Sequence, residues 1–127
     1  MPSLNRIQLI GRLGKDPESR TTPGNRNVVT FSVATGHRWK DKQGEVKTLT
    51  DWFNIEAWGK LGGICEQYLR KGQLVYLEGR MKTDKYEHNG ETRYFTKVVL
   101  SMMQMLEKRE TEEEEEPAAA PEDAEEV

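Results

Sequence analysis

The chain has 127 residues and a mass of 14.6 kDa, room for one domain of ordinary size. Its formal charge of −3 hides two unlike regions: residues 1–106 carry 17 basic and 11 acidic side chains, a net +6, while residues 107–127 carry 2 basic and 11 acidic, a net −9. A basic body beside an acidic tail often accompanies nucleic-acid contact; no apolar run approaches the roughly 20 residues of a membrane span, and the N-terminus lacks the apolar stretch of a secretory signal. The single cysteine, Cys65, excludes an internal disulfide and, with only His37 and His88, makes a poor zinc set. No metal and no cofactor are therefore expected, and a reducing, cytoplasmic setting fits.

The body reads mostly as strands. Ile7, Leu9 and Leu13 alternate with Arg6, Gln8 and Arg12, which predicts a half-buried first strand ended by Gly14 to Pro17. Residues 19–27 (SRTTPGNRN) read as a polar loop. Val28 to Trp39 is β-branched and aromatic, with Val29, Phe31 and Val33 at period two, and predicts a second strand. A charged loop around Gly44 (residues 40–47) leads to a third strand, Leu49 to Trp58. Leu61, Ile64, Cys65, Tyr68 and Leu69 recur at helical spacing, which predicts one helix stopped after Arg70-Lys71 by Gly72. Leu74 to Met81 is a fourth strand, and residues 82–100 form a long hairpin turning at Asn89-Gly90. This order predicts an all-β domain: a five-stranded Greek-key barrel with one helix between strands three and four, the oligonucleotide-binding (OB) fold. The core is lean at this length, so oligomerisation would help. From Glu107 onward there is no aromatic residue, Leu, Ile, Met or Cys, and Glu112 to Glu116 run unbroken. Such a segment buries too little apolar area to offset its ordering entropy, so 1–106 is read as the domain and 107–127 as a disordered acidic tail.

Alternation on the third strand puts Trp52, Asn54, Glu56 and Trp58 on one face and Phe53, Ile55 and Ala57 on the other. Phe-Ile-Ala suffices as a core face, which leaves two tryptophans on the outside, about 20 Å apart at roughly 3.3 Å per residue. Exposed rings at such spacing suit stacking of successive unpaired bases. Trp39 and Tyr86 extend the pattern, each preceded by a basic residue. Trp39 has the parity of core residues Phe31 and Val33, so its exposure calls for a bulge, with Gly36 the candidate. Lys40, Lys42 and Lys47, then Lys60, then Lys82 and Lys85 lie close in sequence to these rings, as charges that track a phosphate backbone would. Ile10 points away from the core face of the first strand and is assigned provisionally to a subunit contact. No enzymatic constellation is present: the histidines are isolated, Cys65 sits on the core stripe, and no phosphate-binding glycine loop occurs.

Several runs resemble the bacterial single-stranded DNA-binding proteins of replication: Ile10 to Pro17 (IGRLGKDP), Phe31 to Thr35 (FSVAT), Trp52 to Ile55 (WFNI), Trp58 to Leu61 (WGKL), Tyr68 to Gly72 (YLRKG), Val75 to Arg80 (VYLEGR) and Met103 to Leu106 (MQML). The likeness spans residues 4–106 with the motifs in order. It implies an OB fold, usually a homotetramer, that coats single-stranded DNA with little sequence preference in replication, recombination and repair, close to the nucleoid. Carried over, it implies stacking by Trp39, Trp52, Trp58 and Tyr86. It also implies phosphate contacts by Lys42, Lys47, Lys60, Lys71, Lys82 and Lys85. Asp84 stands where a basic residue is common, and Phe53 where many members have His near the subunit interface. The family's acidic tail typically closes in Asp-Asp-Ile/Leu-Pro-Phe, which recruits replication and repair proteins. This chain reads Pro121-Glu-Asp-Ala-Glu-Glu-Val127, acidic without the Pro-Phe anchor, so that route of recruitment is not expected. Competing readings are a restart or RNA-binding OB module, a nuclease, for which the carboxylates are too scattered, and a protein-interaction adaptor using the aromatic row.

Overall fold

The computed structural model describes residues 1–107. Six strands and one helix follow in the order β1 (Ile7–Leu13), β2 (Glu18–Thr21), β3 (Asn27–Lys40), β4 (Val46–Trp58), α1 (Gly59–Tyr68), β5 (Leu74–His88) and β6 (Glu91–Met105). They form one sheet in the order β1-β5-β6-β4-β3-β2, and β1 also pairs with β3 through Arg12↔Ala34 and Leu13↔Val33. That second pairing closes five strands into a barrel and leaves β2 outside the ring, against β3. The OB layout expected from the element order is thus present.

The barrel interior is filled at period two. Leu13, Val29, Phe31, Val33, Ile55, Ala57, Val75, Leu77, Val98 and Leu100 point inward, and Cys65 and Leu69 join them from the helix end. Each aliphatic side chain moved fully from water into this core stabilises by roughly 1.5–3 kcal/mol. Burial pushes the Cys65 thiol up to about 12, so Cys65 is a protonated apolar filler, as its place on the helical stripe predicted.

Four local readings need correction. Part of the 19–27 loop is strand: β2 pairs with β3 from Glu18↔Thr30 to Thr21↔Asn27, because Thr22 and Asn25 close a tight turn that lets polar residues add to an existing edge. The fourth strand does not stop at Met81. β5 continues to His88 and pairs with β6 along its whole length, turning at Asn89 and Gly90 with φ of 52° and 81°, the left-handed pair a two-residue hairpin favours. Ser101 is the extra residue of a bulge opposite Glu78/Gly79, which keeps both Leu100 and Met103 facing inward. The helix ends at Tyr68, before Arg70-Lys71; Gly72 (φ 87°) instead serves a separate turn closed by Gln73 N–H donating to the Arg70 carbonyl at 3.1 Å. Only part of the predicted helical stripe is covered, because a ten-residue helix touches the barrel mainly along β3 and β4; Ile64 and Tyr68 remain over one-third exposed.

Candidate nucleic-acid interface

The β3–β4 register runs without a shift from Val28↔Trp58 to Lys40↔Val46. Residues opposite one another share a face, so Trp52 and Trp58 lie outside with Thr30, Ser32 and Ala34, as the alternation predicted. Trp52 is 59 % exposed. It lies across the β1–β2 turn, where a Cβ on Gly14 would come within 2.5 Å of Trp52 Cζ3. Glycine there permits the ring to lie against the backbone and leaves the rest of it open to solvent.

Trp58 is held differently. Its indole N–H donates to Glu56 Oε1 at 2.9 Å, and the guanidinium of Arg26 lies 4.7 Å from its ring centroid. Its cross-strand partner Val28 is fully buried although it belongs to the outer face, so the ring is half-buried and shields apolar surface beneath it. Glu56 is only 5 % exposed. Its second carboxylate oxygen takes the Lys97 ammonium at 2.7 Å, and Lys97 also meets Asp84 at 2.7 Å. One ammonium therefore joins β4, β5 and β6. Burial opposes the charge on Lys97, but hydrogen bonds and attraction from Asp84 and Glu56 outweigh it and raise its pKa; the Lys97 hydrogen bond correspondingly lowers that of Asp84.

Trp39 is 44 % exposed and stacks on His37, ring centroids 5.6 Å apart. No bulge at Gly36 turns it out. The expectation fails because the β3–β4 ribbon extends past the barrel, where the face that would be inner has no core to meet. By register Trp39 and Trp52 occupy opposite faces of that ribbon. Tyr86, 47 % exposed, faces outward on β5 with Lys82 and Asp84.

The lysines divide. Lys42, Lys60, Lys71 and Lys85 are exposed and have no carboxylate partner among the described residues. Lys47 sits 3.6 Å from Glu45 and 3.9 Å from Asp41, and Lys82 sits 3.6 Å from Asp84. These are exposed pairs, weak enough to be exchanged for phosphate. Lys71 lies beyond the helix end opposite Lys60, its backbone N–H donating to Asp16. Ile10 is 57 % exposed on the outer face of β1, opposite Tyr76, beside a network in which Arg6 and Tyr76 both donate to Glu78. Phe53 turns inward and packs against the core. Sequence reasoning missed Arg26, Glu56 as a buried carboxylate, Lys97, and the exposed Tyr94 and Phe95. Counting residues back from the Asn89-Gly90 turn would have set Tyr94 opposite Lys85 and Phe95 opposite Asp84, and so revealed the last two. Among the described residues no three His, Cys, Asp or Glu side chains converge as a metal site.

The profile of the Single-strand binding protein family matches residues 4–106, the whole barrel with every ring named above. The chain belongs to that family. It is 48 % identical over 105 residues to Single-stranded DNA-binding protein 1 of Chlorobaculum tepidum, covering 81 % of this chain and 65 % of that protein. It is also 48 % identical over 105 residues to the Single-stranded DNA-binding protein of Neisseria meningitidis, covering 82 % and 60 %. The chain thus spans somewhat under two-thirds of the length of these relatives. Among solved structures, the Plasmodium falciparum SSB in complex with ssDNA superposes with a TM-score of 0.78 at 36 % identity, covering 84 % of this chain and 98 % of that one. A deletion mutant of the Thermus aquaticus single-stranded DNA-binding protein gives 0.73 at 28 % identity, covering 84 % and 52 %. Within the family's barrel, the Glu56–Lys97–Asp84 clip and the Arg26 cap on Trp58 are how this member fixes its outer face.

Proposed function

We propose that this family member binds and protects single-stranded DNA with little sequence preference during replication, recombination and repair, without catalysis. The observation that carries the reading is the pair of tryptophans on the outer face of β4, Trp52 exposed and Trp58 half-buried. Unpaired bases stack on Trp52, Trp58, Tyr86 and, at the end of the β3–β4 ribbon, Trp39; each contact contributes on the order of 1–3 kcal/mol whatever the base. Lys42, Lys60 and Lys85 take phosphates directly, Lys47 and Lys82 by exchanging their exposed carboxylate partners, and Lys71 extends the path past the helix. Four copies assemble through the β1 surface around Ile10, in the cytoplasm near the nucleoid. Phe53 is placed at a subunit contact as well, the part of its ring that the core of its own chain leaves uncovered being available for it.

Titration with oligo-dT and with duplex DNA tests this. Strong quenching of tryptophan emission by the single strand alone is expected, and a light-scattering mass near four times 14.6 kDa. Equal binding of duplex, strand cleavage, or no binding by the folded chain overturns the function; a monomer at micromolar concentration overturns only the assembly.

A further inference from the structure

Beside the tryptophan row, the outer face of β3 and β4 opens into a groove of about 480 Å³. Thr30, Ser32 and Asn54 form its floor, with Lys15 and Arg20 also in the lining and Phe95 contributed by β6. Phe95 is 45 % exposed, and its register with Asp84 sets it on the face that carries Lys82 and Tyr86. Its ring stands two residues from Lys97, the ammonium that clips β6 to Glu56 of β4 and Asp84 of β5. The wall of the groove is therefore fixed before any ligand arrives.

The charge of the lining selects the ligand. Lys15, Arg20 and Lys97 meet Glu18, Glu56 and Asp84, three cations and three carboxylates. Lys15 lies 3.5 Å from Glu18, and Lys97 is already held by the other two. A phosphate gains little from a balanced lining, whereas a flat uncharged group with polar edges gains an apolar face from Phe95 and hydroxyl and amide partners from the floor. We propose that Phe95 is a further stacking residue and that the groove receives one unpaired nucleobase, its phosphates staying outside toward Lys82. This rests on the single-stranded DNA reading above and adds a subsite to it.

The test measures affinity of the full chain for labelled oligo-dT by anisotropy across a salt series, with light scattering for mass. Phe95→Ala is expected to weaken binding roughly tenfold at every salt concentration. The slope of log K against log salt should not change, because no phosphate contact is lost. Phe95→Leu should weaken it similarly, keeping apolar bulk without a flat face, and Phe95→Tyr should bind as the unsubstituted chain does. Normal binding by Phe95→Leu while Trp52→Ala is weakened overturns the subsite and leaves the DNA reading standing. A changed salt slope, or a changed mass in Phe95→Ala, overturns it too, the latter by making Phe95 a subunit contact. Should Phe95→Ala not fold, the Leu and Tyr variants decide. Failure of the unsubstituted chain to bind removes both readings.

Discussion

The two long ribbons of this protein are built alike and held differently. The β3–β4 ribbon and the β5–β6 ribbon each pair antiparallel over more than a dozen residues, and each carries an exposed ring, Trp39 in one and Tyr86 in the other. The root of β5–β6 is tied to β4 by the half-buried Lys97 ammonium between the buried Glu56 and Asp84. The ion pairs along the outer β3–β4 ribbon, between Lys47 and the turn carboxylates, stay within the ribbon and are exposed. A ring beside a buried charge clip is oriented in advance; a ring on a ribbon that has left the barrel is oriented only by its local twist. Stacking on Trp58, which bonds to the clip through Glu56, should therefore be coupled to stability, and stacking on Trp39 should not.

The largest effect should come from removing the clip. Lys97→Met leaves Glu56 buried without its cation, and a loss of about 3 kcal/mol in denaturant-induced unfolding is expected, with weaker DNA binding following from a displaced hairpin. A result within experimental error of zero would mean that the ribbon is held by pairing alone. Next, Trp52→Ala and Trp58→Ala should each weaken oligo-dT binding by ~1–3 kcal/mol and then part company. Trp52→Ala should leave the melting temperature almost unchanged, whereas Trp58→Ala exposes Val28 and releases both Glu56 and Arg26, so it should lower it. Trp39→Ala should cost binding of ~1 kcal/mol and no stability; a destabilised variant would show that the outer ribbon is covered after all.

Two smaller effects sharpen the same contrast electrostatically. The folded-state pKa of Asp84 is lowered by Lys97, so its contribution is present above the ordinary aspartate range and is lost as pH falls through the folded value. Thermal stability should decline below about pH 4, and the decline should be shallower in Asp84→Asn. Lys97, raised, acts in the opposite sense: its contribution holds below the ordinary lysine range and fades only above about pH 10.4. The smallest effect concerns residues 108–127, whose expected disorder falls outside the described residues. They carry 2 basic and 10 acidic side chains, and removing them changes the chain from −3 to +5. Glu107, first assigned with the tail, is kept, because its carboxylate accepts from Arg12 at 2.9 and 3.0 Å and its carbonyl accepts from Gln73. Binding of single strands should tighten below ~0.1 M salt, where the screening length exceeds about 10 Å. Equal affinity with and without the segment would show that it does not meet the basic face.

Local periodicity and turn chemistry made much of this protein legible in advance. Period-two alternation assigned Trp52 and Trp58 to the outer face of β4, Asn89-Gly90 marked the hairpin, and the order of elements implied the barrel. These are statements about neighbours in the chain, and the backbone geometry of a strand or a two-residue turn enforces them wherever the segment lies. Parity, however, says which side a residue faces and nothing about what covers that side. Glu56 shares its face with exposed Trp52 yet is buried, because Lys97, 41 residues away, closes over it. Trp39 shares the parity of Phe31 yet is exposed, because the barrel ends before the ribbon does. Arg26 reaches Trp58 from another turn, and Phe95 joins the tryptophan face only because β6 lies beside β4. Each of these outcomes depends on strands brought together by barrel closure, and burial is a property of that assembled neighbourhood, so no window of the sequence contains it.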